Sequence, residues 1–158
     1  VDLIPDSWRF EHDRNTIDPS IPEVLEQVKK DVSRFREWGF ELLKHDFTTS
    51  DIFGRYGFAM KYFPAADNVV FHDDSRTSAE IVISLYQAIR EAAGGMLILG
   101  CNTIGHLGAG LMHLARIGDD TSGIKWERTR KMGINTLAFR MCQDGTFFSA
   151  DADCVGVT

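Results

Sequence analysis

The segment Met96-Leu97-Ile98-Leu99-Gly100-Cys101-Asn102 restricts the fold more than any other. A half-solvated strand alternates apolar and polar residues, so four apolar side chains in succession read as a strand buried on both faces. The run turns polar at its carboxyl end and follows an amphipathic helical stretch. That stretch opens at Thr77-Ser78-Ala79-Glu80 and carries Ile81, Ile83, Leu85, Ala88, Ile89 and Ala92 as its apolar positions. It closes at Gly94-Gly95.

The same helix–strand unit recurs along the chain. Asp18-Pro19-Ser20 precedes Ile21-Pro22-Glu23, a helix start with a capping Ser and a Pro in the first turn. Leu25, Val28, Val32 and Phe35 fall on one face of it, with Lys29, Lys30, Asp31 and Arg34 largely on the other. Gly39 supplies a left-handed stop. Phe40 to Phe47 then reads as a buried strand whose carboxyl end carries Lys44 and Asp46. The third strand is Leu114 to Gly118, running into Asp119-Asp120-Thr121-Ser122. Helical pattern resumes from about Ile124 to Arg140, weakened by Gly133, and a last strand, Thr146 to Ala150, runs into Asp151-Ala152-Asp153. Between Thr48 and about Ser75 lies an irregular stretch rich in aromatics. A loop of that length is either functional or conceals an element. The alternation predicts a parallel α/β sheet covered by helices, its four strands neighbours in sequential order with their carboxyl ends on one side.

Composition removes several function classes. At 158 residues, 44% hydrophobic and 25% charged, the chain fits one ordinary globular domain. Its 17 Lys+Arg against 23 Asp+Glu give a net charge of −6, which argues against nucleic acid as a partner. No apolar run approaches the roughly 18 residues of a membrane span, and no leader motif gives a cellular address. Cys101, Cys142 and Cys154 form no CxxC, so neither a disulfide framework nor a zinc site is expected, and Cys142 and Cys154 read as buried small hydrophobes. Phe71-His72-Asp73-Asp74 lacks a second group of metal ligands, and Gly105 to Gly110 lacks the Lys-Ser/Thr of a phosphate loop. No metal and no cofactor is therefore expected. His106 and His113 read as loop hydrogen bonders or packing residues. The sequence leaves homo-oligomerisation open.

The position of the polar residues is the functional signal. Each strand delivers reactive or hydrogen-bonding groups at its carboxyl end: Lys44 and Asp46, Cys101 and Asn102, Arg116 with Asp119 and Asp120, then Asp151 and Asp153. In parallel α/β folds that edge is where ligands bind. Paired carboxylates without a metal suggest glycoside hydrolysis, which needs one nucleophile or base and one acid. Lys44 and Asp46 are two apart on a strand, so both point to one face. An ammonium beside a carboxylate suits a nucleophile that must stay ionised. One of Asp119 and Asp120 would serve as the acid, facing Asp46 across a cleft. The other would cap the following helix through N–H groups near Ser122 or Gly123. The plainer reading is an ion pair at the strand end for Lys44 and Asp46, and a helix cap for Asp119. Among the aromatics, Tyr56 and Tyr62 are the better candidates for stacking on sugar rings, whereas Trp38, at a helix end, reads as core.

Asp18-Pro-Ser, Trp38-Gly39-Phe40, Leu43-Lys44-His45-Asp46-Phe47 and Arg116-Ile-Gly-Asp-Asp-Thr121 together resemble the alpha-galactosidase (melibiase) clan of glycoside hydrolases, over about residues 18 to 158. The resemblance implies a (β/α)8 barrel in which the Lys-x-Asp of the fourth strand carries the nucleophile, matching Lys44 and Asp46. The Arg and acid/base Asp of the sixth strand match Arg116 and either Asp119 or Asp120. Gly100-Cys101-Asn102 matches the fifth-strand segment that helps read the sugar, and Asp151-Ala-Asp153 matches a later Asn-Asp-Pro-Asp segment. It further implies retaining hydrolysis of terminal alpha-linked galactosides or related alpha-glycosides, with Lys44, Cys101, Asn102, Arg116, Asp151 and Asp153 binding substrate. The alternatives are a raffinose-type transglycosidase and a non-catalytic saccharide-binding domain. The clan's paired aspartates of the early strands have no counterpart here, and a full barrel takes roughly 250 residues. The chain therefore reads as part of a single catalytic domain, about strands 4 to 7 with their helices, the early strands lying upstream.

Overall fold

The computed structural model describes residues 4–11, 13–53 and 69–153. Four strands, β1 (Leu42–His45), β2 (Leu97–Gly100), β3 (Leu114–Arg116) and β4 (Ser149–Asp151), form one sheet in the order β1-β2-β3-β4. Every pair is parallel, so the sequential order expected from the sequence is the order observed. Two sixteen-residue helices, α1 (Pro22–Glu37) and α3 (Ser78–Ala93), precede β1 and β2 and pack on each other, with α3 also against β2. A four-stranded parallel sheet with such helices is what part of an α/β barrel looks like.

Local chemistry explains where the long helices begin and end. Thr77 caps α3, its hydroxyl accepting from the Glu80 N–H while the Glu80 carboxylate accepts from the Thr77 N–H at 2.8 Å. Gly39 takes φ +86° just past α1, the left-handed geometry that ends a helix cheaply. The expected Ser20 cap of α1 is absent. Its hydroxyl instead accepts from the Asp73 N–H at 3.0 Å, and Asp18 accepts from the N–H groups of Ser20 and His72. These bonds staple the entry of α1 to the loop before α3.

The core lies between the helices and one face of the sheet. Val32 of α1, Ile81, Tyr86 and Ile89 of α3, and Ile98 of β2 belong to one buried cluster, with Leu43 packed against it. The register pairs Leu43 with Ile98 on this face and Leu42 with Leu97 on the other. Expectation and structure part on that second face: Leu42 is 48% and Leu97 46% exposed. The strands are apolar on both sides, yet among the described residues helices cover only one. Among the described residues no strand pairs with the outer edge of β1 or of β4.

Other differences have local causes. The irregular stretch conceals a short helix, α2 (Thr48–Phe53). The Gln143 carbonyl accepts from both the Thr146 and Phe147 N–H groups, holding them in a turn, so β4 starts at Ser149 rather than Thr146. The helical stretch after β3 consists of α4 (Trp126–Arg128), a π-helical segment (Thr129–Ile134) around Gly133, and α5 (Asn135–Arg140). Trp38 is 65% exposed, lying edge-on to Phe35 rather than in the core, and Cys142 is exposed too. Cys154, Tyr56 and Tyr62 lie outside the described residues.

Candidate active site

The strand ends converge on a cleft of about 120 Å³. Asp46, Cys101, Asn102, Arg116, Asp119 and Asp120 all line it, so residues from β1, β2 and β3 spread over 75 positions share one site. Lys44 reaches it through Asp46, with Nζ 3.9 Å from Oδ2, as expected for side chains two apart on a strand. The other oxygen of Asp46 accepts from the Phe47 N–H at 2.7 Å. At this volume the cleft is smaller than a typical ligand pocket, and among the described residues no strand lies beyond β1.

Among the described residues three non-glycine residues hold positive φ, and each follows a strand end: Phe47 at 67°, Asn102 at 48° and Asp153 at 60°. Such geometry in a bulky Phe is rare, and it clusters at functional sites. Phe47 and Gly118 complete the cleft lining, and sequence reasoning singled out neither for the site. Asn102 is tied to α2, its carbonyl accepting from the Thr49 N–H at 3.2 Å and its side-chain Oδ1 from the Thr49 hydroxyl. Its side-chain amide nitrogen is the group it can offer a sugar hydroxyl.

Arg116 is the hub of the charges. Its side chain is only 9% exposed, with Nη1 on Asp120 at 3.0 Å, Nε on Asp151 at 3.0 Å and Nη2 on Asp153 at 3.2 Å. Burial, the largest single influence, opposes its charge, but the hydrogen bond and charge of Asp151, with the charges of Cys101 and Asp153, outweigh burial and raise its pKa. Asp151 and Asp153 do not line the cleft. Their remaining oxygens accept from the N–H groups of Asp153 and Thr121, so they brace Arg116 and the loop after β3.

The two adjacent aspartates are held differently. Asp119 has both oxygens engaged, Oδ1 by the Asp120 N–H at 2.8 Å and Oδ2 by Arg128 Nη2 at 3.0 Å. Neither reaches the N–H groups of Ser122 or Gly123 as a helix cap, and α4, which starts only at Trp126, has no side-chain cap at all. Asp120 is anchored to Arg116 through Oδ1 and is 82% exposed.

Burial pushes the Cys101 thiol up; Arg116 and Lys44 pull it down, and Asp46 raises it by charge and as a hydrogen-bond partner. These groups sense one another, as members of one site must. On the other side of Asp46 lies an apolar groove of about 410 Å³, whose polar end also holds Lys44, His45 and Asp51. Burial, with the charges of Asp13 and Asp46, raises the Asp51 pKa. Asp51 is a carboxylate near the site that strand periodicity could not flag, because it sits on α2. His45 points away from the cleft, its Nε2 2.5 Å from the Thr48 hydroxyl and its ring edge-on to Tyr86. Burial lowers its pKa to about 4, against the opposing charge of Asp46. His113 accepts from the Ile98 N–H at 2.9 Å, the hydrogen-bonding role expected of it. Among the described residues no cluster of His, Cys, Asp or Glu could hold a metal ion, and no helix is long and apolar enough to cross a membrane.

No protein-family model matches the sequence. No curated protein matches it significantly. Solved structures do resemble it. TtGalA, an alpha-galactosidase from Thermus thermophilus, in complex with stachyose, superposes with a TM-score of 0.57 and 19% identity over 87% of this chain and 28% of that one. Its complex with p-nitrophenyl alpha-D-galactopyranoside gives the same TM-score over 27% of that chain. Abp-WT, a GH27-b-L-arabinopyranosidase from Geobacillus stearothermophilus, superposes with a TM-score of 0.58 and 14% identity over 87% of this chain and 27% of that one. At these identities the likeness is one of fold, and the chain spans little more than a quarter of the length of these neighbours.

Proposed function

We propose that this chain is part of the (β/α)8 catalytic domain of a retaining glycoside hydrolase that acts on terminal alpha-linked galactosides or related alpha-glycosides. The observation that carries the reading is the single cleft shared by Asp46, from the end of β1, and the Asp119-Asp120 pair, from the end of β3. The solved neighbours, an alpha-galactosidase and an arabinopyranosidase, support it at the level of fold.

Asp46 attacks the anomeric carbon, with the Lys44 ammonium as its counter-charge. Asp120 protonates the departing oxygen and then, as a carboxylate, activates the water that releases the sugar from Asp46. Asp120 suits this role better than Asp119, whose two oxygens are already bonded. Arg116, Asn102 and Cys101 grip sugar hydroxyls, while Asp151 and Asp153 act through Arg116. Retention expects about 5 Å between the two reacting carboxyl groups. The exposed Leu42 and Leu97 and the open edge of β1 support closure of the sheet by the remaining strands of the same domain.

Release of nitrophenol from an aryl alpha-galactoside by the full-length protein tests the reading, with the anomer formed first read by NMR. Retained configuration is the expected result, and inversion would remove the covalent step. Saccharide binding without turnover would replace the enzyme by a binding module.

A further inference from the structure

One ion pair holds both backbone groups of Asp120, the proposed acid. Asp119 Oδ1 accepts from the Asp120 N–H at 2.8 Å, and Arg128 Nε donates to the Asp120 carbonyl at 2.7 Å. Arg128 Nη2 then donates to Asp119 Oδ2 at 3.0 Å, which closes the ring. Arg116 fixes the far end of the acid, bonding Oδ1 at 3.0 Å. We infer that Arg128 is a positioning residue for Asp120, acting through Asp119 and the Asp120 backbone; the inference rests on the glycosidase reading above.

The arrangement suits placement better than stabilisation. Arg128 is half-exposed, and an ion pair open to water adds little to stability. Its geometry is specific nonetheless. The planar fork of a guanidinium aims two nitrogens at two different acceptors in one orientation, which an ammonium cannot do. The fork itself is anchored. Thr129, the next residue, is fully buried, and its N–H, like that of Arg128, donates to the Lys125 carbonyl at 3.0 Å. A loop that carries an acid needs such a support, because a misplacement of about 1 Å can cost about a hundredfold in rate.

The test compares two substrates with the same reacting sugar in the full-length protein. Methyl alpha-galactoside releases methanol, so its departing oxygen must take the Asp120 proton as the bond to the anomeric carbon breaks. Dinitrophenyl alpha-galactoside releases a phenolate that leaves without a proton. Arg128→Ala should lower kcat/KM for the methyl glycoside about tenfold or more, and leave that for the dinitrophenyl glycoside within about twofold of wild type. For the second substrate kcat and KM should fall together, because Asp120 must still activate water in the later step. Added guanidinium chloride should restore part of the loss on the methyl glycoside, and Arg128→Lys should lie between Arg128→Ala and wild type. A merely structural role would lower both substrates alike. An equal fall on both, or no fall on either, would overturn the inference and leave the glycosidase reading standing. A folded wild type that cleaves neither substrate would overturn both.

Discussion

Arg116 and Asp151 stand opposite each other as register partners on β3 and β4, and Nε of the first donates to Oδ2 of the second at 3.0 Å. The other guanidinium nitrogens go to Asp120 and Asp153, so one side chain sets the spacing of two strand ends and a loop. Arg116→Ala would leave three carboxylates facing one another without a cation, at a cost of about 3 kcal/mol. Arg116→Lys should recover only part of this, because an ammonium cannot fork to three acceptors in a plane. Urea unfolding of the two variants measures both values, and a wild-type midpoint for Arg116→Ala would contradict the hub role.

Replacing the proposed nucleophile gives a sharper chemical outcome. Asp46→Asn keeps the size of the side chain but removes the attacking oxygen, so turnover should fall at least about a thousandfold. Azide can enter the vacated space and should restore product formation with the opposite anomeric configuration. Steady-state rates with and without azide, with the product anomer read by NMR, check both halves. Near-native activity without azide would rule out Asp46 as nucleophile.

His45 predicts a pH dependence of stability. Its folded pKa is about 4, lowered from an ordinary 6.5 by burial. Between those values the unfolded chain binds more protons at this site, so stability is complete above about pH 6.5 and is lost as pH falls toward 4. At about 1.4 kcal/mol per unit, the full effect is on the order of 3 kcal/mol. His45→Gln should flatten this part of the curve, and the difference between the two pH profiles isolates it from carboxylate titration. Parallel profiles would show that the imidazole does not carry the effect.

Neighbouring residues of β2 should respond in opposite ways to context. Ile98 is fully buried against the helices, and Ile98→Ala should cost about 2–5 kcal/mol. Leu97 is 46% exposed on the other face, so Leu97→Lys should cost under about 1 kcal/mol in the 158-residue chain alone. In the full-length protein the same change should cost several times more, because the proposed remaining strands would bury a charge there. Equal small losses in both contexts would argue against closure of the barrel over this face.

What the sequence disclosed, it disclosed through local rules. The run around Ile98, the Thr77 start of α3 and the Gly39 stop each depend on neighbours within a few residues, and each appears where the pattern put it. The convergence of strand ends followed from parallel order alone. What was hidden depends on contacts far apart in sequence: Ser20 gives up its capping role because Asp73 arrives from 53 residues away. Asp151 and Asp153 turn to Arg116, which no spacing rule could foretell. Periodicity marks Leu42 and Leu97 as apolar, but whether a face is covered depends on what packs there. The left-handed Phe47 left no signal, since nothing in its residue type favours that conformation.

Gly118 sits in the loop that carries Asp119 and Asp120, and a Cβ on it would collide with the backbone carbonyl of Met132 in the π-helical segment. Backbone meets backbone there, so no rotamer change can make room for even a methyl group. The irregular turn of the helix and the missing side chain are therefore geometrically coupled: any side chain at Gly118 would force either the π-helical segment or the loop that positions Asp119 and Asp120 to move.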